Sequence, residues 1–271
     1  KVRMCPGKFV LESTYEGFPD TTFHCWDTHG HNNLVGAIAD SCSVYFYKLG
    51  YQIGAEPIIK YSRYFKLDTK TQVDLPSEIP GFIPSPLWKE KEHGTRWFDG
   101  DTVNLSIGQG FVQTTVLGMT NFYASLVTGG VVYKPHFLKA IRRAEDDKLQ
   151  EAIDREILYE LPISKNSLQV LRKSLRKVVT RGTAEYVFRN TEIPVAGKTG
   201  TVQTRSADRF AKYSQHAWFI GYAPFKGKPE NQIVVAAFVE KGIGGAATAA
   251  PLARRLFETW EKQVKEGAEE K

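Results

Sequence analysis

The sequence predicts a mixed α/β fold of the α+β kind, in which an antiparallel sheet is covered by helices. Late in the chain, three segments rich in β-branched and aromatic residues are bounded by Pro and Gly, as strands are: Ile193–Thr204, His216–Ala223 and Gln232–Glu240. They follow one another with short connections, which favours antiparallel pairing. Other segments have apolar residues at helical spacing, so we expect helices to pack on this sheet.

Two helices are expected before a long irregular region. Val44–Ile53 and Pro57–Phe65 have apolar residues at helical spacing. Residues 68–104 then contain more prolines than regular elements tolerate, and we expect a long loop there. The prolines of this stretch are Pro76, Pro80, Pro84 and Pro86.

The helical pattern resumes over Thr114–Val127, where Thr115 can cap the first turn and Gly129-Gly130 ends the last. A basic amphipathic helix is expected further on. Its buried stripe is predicted to consist of Leu168, Leu171, Leu175 and Val178. The bases between them are expected on the solvated face: Arg172, Lys173, Arg176 and Lys177.

A final helix is predicted over Ala249–Val264, with Leu252, Leu256 and Trp260 on one face. Residues 265–271 are polar and are expected to fray. We found no internal repeat, so residues 1–264 are interpreted as one domain, followed by a polar tail.

The net charge of +6 could indicate a polyanionic partner. The bases are scattered, however, and the densest group is accounted for as the solvated face of the amphipathic helix. We therefore predict no nucleic-acid binding. No apolar run approaches the length needed to cross a bilayer.

The most specific chemical signal is Gly197-Lys198-Thr199-Gly200-Thr201 inside the first predicted strand. Lys198 supplies a positive charge, and Thr199 and Thr201 supply hydroxyls that can bind a carboxylate. Gly200 lets a substrate backbone approach the strand closely. This pattern is typical of a peptide-binding strand, whereas a lysine that points to water would be the plainer interpretation.

In this pattern the chain resembles the penicillin-binding proteins and serine β-lactamases, whose third signature is Lys-Thr-Gly. Further stretches resemble the class B enzymes of the penicillin-binding protein 2 type and occur in the family's order. They are Cys5-Pro6-Gly7, Phe23-His24-Cys25-Trp26, Ser41-Cys42-Ser43-Val44-Tyr45-Phe46-Tyr47, Gly100-Asp101-Thr102, Ser106-Ile107-Gly108-Gln109-Gly110, Arg181-Gly182-Thr183-Ala184 and Ala217-Trp218-Phe219-Ile220-Gly221-Tyr222-Ala223-Pro224. The resemblance implies the family's transpeptidase fold, with helices on both faces of the sheet.

The resemblance also implies a mechanism. A serine in Ser-x-x-Lys attacks the D-Ala-D-Ala bond of a stem peptide, and an amine of a second stem peptide resolves the acyl-enzyme. Ser41 matches the serine of the second signature and, with Lys198, is assigned a catalytic role. Ser43 replaces the usual Asn or Asp, so a short hydroxyl stands where the family has an amide or carboxylate. Ser43, Thr199, Gly200 and Thr201 are the implied substrate-binding residues.

The sequence contains one Ser-x-x-Lys, Ser174-Leu175-Arg176-Lys177, but the family places this signature ahead of the other two. Since these residues also lie on the basic amphipathic helix, we interpret them as structural. We expect the nucleophile before Lys1, in a domain that is N-terminally truncated here. This chain alone is therefore expected to be inactive.

All three cysteines fall within the first 42 residues, together with three histidines. By resemblance to penicillin-binding protein 2 enzymes with a zinc site at matching places, the ligands are Cys5, Cys25, a histidine and Cys42, a closed Cys₃His set. Counting back from Cys42 favours His29, whereas counting forward from Trp26 favours His31. We predict His29. A disulfide between Cys5 and Cys25, or three unrelated buried thiols, are the alternatives.

The resemblance further implies partners and a location. The ligands would be peptidoglycan stem peptides and β-lactams, and the partner a glycosyltransferase of the elongation machinery. The parent protein would be anchored in the cytoplasmic membrane, with this domain on its periplasmic side. Two alternatives remain at this point: a degenerate relative that binds substrate or acts as a scaffold, and a zinc-stapled interaction module.

Overall fold

The computed structural model describes residues 1–13, 17, 19–205 and 213–269. Its central element is an antiparallel sheet of three strands in the order β11-β10-β9. These strands are β9 (Ala196–Arg205), β10 (Tyr213–Ala223) and β11 (Ile233–Val239). The predicted strands are thus confirmed in type, order and antiparallel pairing. Their ends differ by a few residues, since residues 193–195 precede the first strand.

Both faces of this sheet are covered, because side chains alternate along each strand. On one face Ile220 and Tyr222 pack against helices α6 (Val116–Val127) and α7 (Lys165–Thr180). On the other face Phe219 packs against the short helix α8 (Glu185–Phe188) and the C-terminal helix α9 (Ala250–Glu269). The predicted fold class, an antiparallel sheet with helices on both faces, is confirmed.

The remaining elements lie mainly before the sheet in sequence. Four short strands come first, followed by helices and two further strand pairs, β5 with β8 and β6 with β7. The bounds are β1 Arg3–Cys5, β2 Lys8–Leu11, β3 Thr21–His24, β4 Gly30–Asn32, α1 Leu34–Ala39, α2 Ser43–Ile53, α3 Ala55–Tyr64, α4 Pro86–His93, α5 Asp99–Leu105, β5 Val131–Tyr133, β6 Ala140–Arg142, β7 Leu149–Ala152, β8 Ile157–Glu160 and α8 Glu185–Phe188.

The predicted helices α2, α3 and α6 are confirmed, and each of their ends lies within two residues of the predicted position. Thr115 caps α6 as expected, because its hydroxyl accepts a hydrogen bond from the Gly118 amide at 3.0 Å. The helices of the described ranges include none that is both long and apolar enough to span a bilayer.

The prediction of a continuous loop over residues 68–104 is wrong, because α4 and most of α5 lie there. Pro86 occupies the first turn of α4, where a proline removes no hydrogen bond, and Ser85 caps the helix by accepting from the Trp88 amide. Gly94 ends α4 with a φ of 64°. Pro86 therefore marks where a helix begins.

The basic helix α7 buries Leu168, Leu175 and Val178 as predicted. Its arginines depart from the prediction. Arg172 donates to the Tyr222 hydroxyl of the sheet at 3.2 Å, and Arg176 donates to the carbonyl of Val195, just before β9. The two lysines of the group, Lys173 and Lys177, are exposed.

The apolar face predicted for the last helix is mostly not the face that packs on the sheet. Leu252 and Leu256 are 45% and 52% exposed, and only Trp260 packs against the core. The buried face of α9 consists of Ala250, Ala253 and Phe257. Small alanines let the helix approach the sheet closely, a feature that a choice based on the most apolar residues misses. The helix also continues to Glu269, beyond the predicted end.

This correction can be tested by two neighbouring substitutions. Phe257→Ala should lower the free energy of unfolding by about 3–5 kcal/mol, because it leaves a cavity beside Phe188 and the sheet. Leu256→Ala, one residue away on the exposed face, should change it by about 0.5 kcal/mol or less. Urea denaturation of both variants measures the difference. Similar losses in the two variants would contradict the assigned face.

Candidate active site

A cleft of about 600 Å³ lies beside β9, which is the edge strand among the described strands of the sheet. One wall is β9 and the loop that precedes α9. The opposite wall is formed by the residues that follow β3 and by the turn between α1 and α2. Its polar lining includes Ser41, Ser43, Gln109, Thr183, Thr199, Thr201, Gln203 and Gln215.

Ser41 is presented to this cleft by the way α1 ends. The Ser41 amide donates to the Ile38 carbonyl and the Cys42 amide donates to the Ala37 carbonyl at 2.9 Å. These are the two hydrogen bonds of a Schellman motif, in which the residue after the helix adopts a left-handed conformation. Ser41 has a φ of 51°, where glycine is the usual residue. A side chain in this position is strained, as residues at functional sites often are.

Lys198 lies on β9 opposite Ile220 and reaches across the cleft to Ser41. Its Nζ donates to the Ser41 hydroxyl and, at 2.9 Å, to the Thr199 carbonyl. Burial lowers the pKa of Lys198 to about 8, because desolvation disfavours the ammonium form. The ion pairs of the described residues do not include Lys198. The site therefore has a buried positive charge and space beside it for an anion.

Thr199 and Thr201 also lie at the cleft. The Thr201 hydroxyl accepts a hydrogen bond from the Gly245 amide at 3.1 Å, which ties β9 to the loop before α9. Ser43, the first residue of α2, lines the same cleft. The structure thus brings Ser41, Ser43 and Lys198 to one place with the two threonines.

Packing within the protein itself, and not only the approach of a substrate, favours glycine at position 200. A Cβ on Gly200 would lie 3.2 Å from the Cβ of Trp218 on the neighbouring strand. The backbone of Gly245 also packs directly on Gly200, since a Cβ on Gly245 would lie 2.6 Å from the Gly200 carbonyl. Close packing of the sheet and this loop therefore favours glycine at both positions.

Thr183 belongs to this site, although the sequence pattern gave it no role. Its Oγ1 lies 2.7 Å from Oγ1 of Thr199 and 3.5 Å from Oγ of Ser41. The sequence did contain a signal, because Arg181-Gly182-Thr183-Ala184 was one of the stretches that matched the family. That match could not show which of the four side chains reaches the cleft.

Ser174 lies outside the cleft and is fully buried on α7. Its hydroxyl donates to the Val170 carbonyl one turn earlier in the same helix, at 2.7 Å. Lys177, the other half of the Ser-x-x-Lys pattern, is exposed. This pair therefore has the structural role that the sequence predicted for it.

The four predicted metal ligands lie together next to the cleft. The donor atoms of Cys5, Cys25, His29 and Cys42 all lie within 4.8 Å of one another. Nδ1 of His29 lies 3.6 Å from Sγ of Cys5 and 3.5 Å from Sγ of Cys25. His31 is exposed on β4, where it pairs with Met4 of β1, and all three thiols are free.

The backbone around the cluster favours a thiolate. A hydrogen bond with the Cys42 thiol lowers the pKa of Cys25, and the amides of Val44, Asp27 and Ser43 lower it further. The same hydrogen bond with Cys25, together with burial, raises the pKa of Cys42. The cluster is also linked to the cleft, because Cys42 directly follows Ser41 in the chain.

Comparisons with known proteins agree with this geometry. The family profile of the penicillin binding protein transpeptidase domain matches residues 10–258. The chain is 31% identical over 95% of its length to the peptidoglycan D,D-transpeptidase MrdA of Haemophilus influenzae, and 33% identical over 94% to that of Acinetobacter baumannii. It covers 40% and 38% of these two proteins, so it spans about two fifths of their length.

Solved structures give the same result. Pseudomonas aeruginosa PBP2 in complex with WCK 5153 matches with a TM-score of 0.79 and 28% identity, over 96% of this chain and 55% of that one. The complex between PBP2 and MreC from Helicobacter pylori matches with a TM-score of 0.77 and 30% identity, over 96% and 45%. A peptidoglycan synthase complex that coordinates polymerization and crosslinking gives 0.75 and 28%, over 94% and 41%. The chain belongs to the penicillin-binding protein transpeptidase domain family, among its PBP2 and MrdA members.

Proposed function

We propose that this chain is the transpeptidase part of a PBP2-type penicillin-binding protein and that, in the whole protein, it cross-links the stem peptides of peptidoglycan. The observation that supports this most strongly is the contact between Lys198 and Ser41 across the cleft. It joins the second and third family signatures, which are far apart in sequence. Thr199 and Thr201 then supply hydroxyls beside a buried cation, a suitable environment for the carboxylate of a peptide ending in D-Ala.

The chemistry of the whole protein follows from this arrangement. A serine of an upstream Ser-x-x-Lys segment would attack the carbonyl of the penultimate D-Ala, and the terminal D-Ala would leave as the acyl-enzyme forms. An amine of a second stem peptide would then displace the serine oxygen and form the cross-link. Ser41, next to Lys198, is suitably placed to pass a proton between the serine and the leaving group. β-Lactams would acylate the same serine.

The role of Lys198 can be tested in the full-length protein. Lys198→Ala should lower the rate of acylation by a labelled penicillin by roughly 100-fold or more, because it removes a preorganised charge from the site. Lys173→Ala, which removes an exposed lysine of α7, is the matched control and should leave the rate unchanged. Stopped-flow or gel-based acylation rates measure both. An unimpaired Lys198→Ala enzyme would contradict the proposal, and a scaffold relative would show no acylation in any variant.

The strained position of Ser41 gives a second test, in which two variants should lose activity alike but differ in stability. Ser41→Gly and Ser41→Ala should both lose most acylation, because both lack the hydroxyl that contacts Lys198. Ser41→Gly should nevertheless be about 1 kcal/mol more stable than Ser41→Ala, because glycine adopts the left-handed conformation without strain. Urea denaturation and acylation assays on the pair measure this. Equal stabilities would show that φ at this position is not constrained.

We also propose that the cysteine–histidine cluster binds a structural zinc ion. With Zn–S and Zn–N bonds of about 2.3 and 2.0–2.1 Å at a tetrahedral angle, a sulfur and a nitrogen ligand are about 3.6 Å apart. The two distances from His29 Nδ1 to the sulfurs of Cys5 and Cys25, 3.6 and 3.5 Å, agree with this value. Three thiols and one imidazole form a closed set, which is typical of a structural site. Bound there, zinc would fix the turn that presents Ser41.

Two histidines two residues apart provide a matched pair for testing the zinc proposal. Wild-type protein purified without chelator should contain about one zinc ion per chain, and His31→Ala should keep it. His29→Ala should lose most of the metal, because it removes one of the four ligands. Elemental analysis by mass spectrometry gives the counts. A metal-free wild-type protein with a Cys5–Cys25 disulfide would refute the proposal.

The partners and location are proposed from the relatives. One similar structure is a PBP2 bound to MreC, and another is a synthase complex that combines polymerization and crosslinking. We propose that the whole protein works with a glycosyltransferase of the elongation machinery, which makes the glycan strands. Its transpeptidase domain would act on the outer side of the cytoplasmic membrane, where peptidoglycan is assembled.

A further inference from the structure

Thr183 contacts both sides of the site, and it has no part in the mechanism described so far. It lies between Ser41, 3.5 Å away on the turn after α1, and Thr199, 2.7 Å away on β9. It also lines the cleft. A hydroxyl in this place can donate one hydrogen bond and accept others, so it can couple the two sides.

The backbone fixes Thr183 in place. Its amide donates to the Ala39 carbonyl at 3.1 Å, and the amide of Ala184 donates to the Val178 carbonyl at 3.0 Å. Gly182 allows this contact, because a Cβ there would lie only 2.2 Å from the Ala39 oxygen. The turn between α7 and α8 is thus packed on the end of α1, two residues before Ser41. The same packing positions both hydroxyls.

The direction of the hydrogen bonds follows from the chemistry of the groups. A lysine ammonium only donates, so the Ser41 oxygen accepts from Lys198 and keeps its own proton to donate towards Thr183. Thr183 can then donate to Thr199. The Thr199 oxygen, which also lies 3.5 Å from Lys198 Nζ, then has two donors beside it. Its own proton is left to point into the cleft.

We propose that Thr183 is a positioning residue of this site, whose hydroxyl connects Ser41 to Thr199 and turns the Thr199 hydroxyl to donate to the carboxylate of the bound peptide. Chains of hydrogen bonds polarise one another, so the charge of Lys198 strengthens the last donor in the chain. This inference rests on the proposed function, since it names the group that the site uses to recognise the end of its substrate.

The test uses a ligand pair that differs only in the charged group. N-acetyl-D-alanyl-D-alanine carries a terminal carboxylate, and its C-terminal amide does not. Binding of both to the full-length protein is measured by calorimetry or NMR titration for wild type, Thr183→Val and Thr183→Ser. Thr180→Val, which alters an exposed threonine of α7 three residues away, is the control.

We expect wild-type protein to prefer the acid. Thr183→Val has the same shape without the hydroxyl, and it should weaken binding of the acid by roughly tenfold while leaving binding of the amide unchanged. Thr183→Ser should restore the acid affinity to within about threefold, and Thr180→Val should match wild type. In acylation by benzylpenicillin, which also carries a carboxylate, the loss should appear in the binding constant rather than in the acylation rate constant.

Other outcomes overturn the inference in recognisable ways. Equal losses for acid and amide would mean that Thr183 only supports the fold, and so would a Thr183→Ser variant without recovery. An unchanged acid affinity in Thr183→Val would remove the connection to Thr199. If wild-type protein is acylated by penicillin but does not prefer the acid, the proposed function stands and this inference fails. If wild-type protein is not acylated at all, the proposed function itself fails.

Discussion

The hydrogen bond from Lys198 to Ser41 is the contact on which the site depends. It connects two residues 157 positions apart, one on the edge strand of the described sheet and one on the turn between two helices. Burial lowers the pKa of the lysine, so its charge is maintained at a cost that an anionic ligand would reduce. Thr183 lies between the two sides of this contact, and Thr199 and Thr201 present further hydroxyls beside it.

The two residues of this contact, Lys198 and Ser41, are held in place in different ways. Lys198 is fixed by the sheet, because its neighbours on β9 pair with β10 and both faces are packed with helices. Ser41 is fixed by the Schellman turn, by the docked turn at Gly182 and by the cluster that begins at Cys42. The Ser41 side consists of short elements around a smaller core cluster, to which Cys5 and Cys42 themselves belong. A metal ion is a suitable way to stabilise such a region.

The sequence predicted the parts of this account that depend on pattern and order. Segments rich in β-branched and aromatic residues, with the Lys198 signature, identified the sheet and one wall of the cleft, and the family resemblance identified the four clustered donors. It did not predict features that depend on packing. Alanines, not leucines, face the sheet in α9, and Pro86 begins a helix where prolines indicated a loop. Thr183 was missed because its role appears only when three distant segments meet.

The central claim is that Lys198 is a buried cation that binds the carboxylate of a ligand. It is tested most directly by NMR titration of lysine labelled with ¹³C at Cε, with Lys198→Arg used to assign the signal. The account predicts a pKa for Lys198 of about 8 in the free protein, because desolvation lowers it. Bound N-acetyl-D-alanyl-D-alanine should raise that pKa, since a nearby negative charge favours the ammonium form. A pKa that stays the same when the peptide binds would contradict the account.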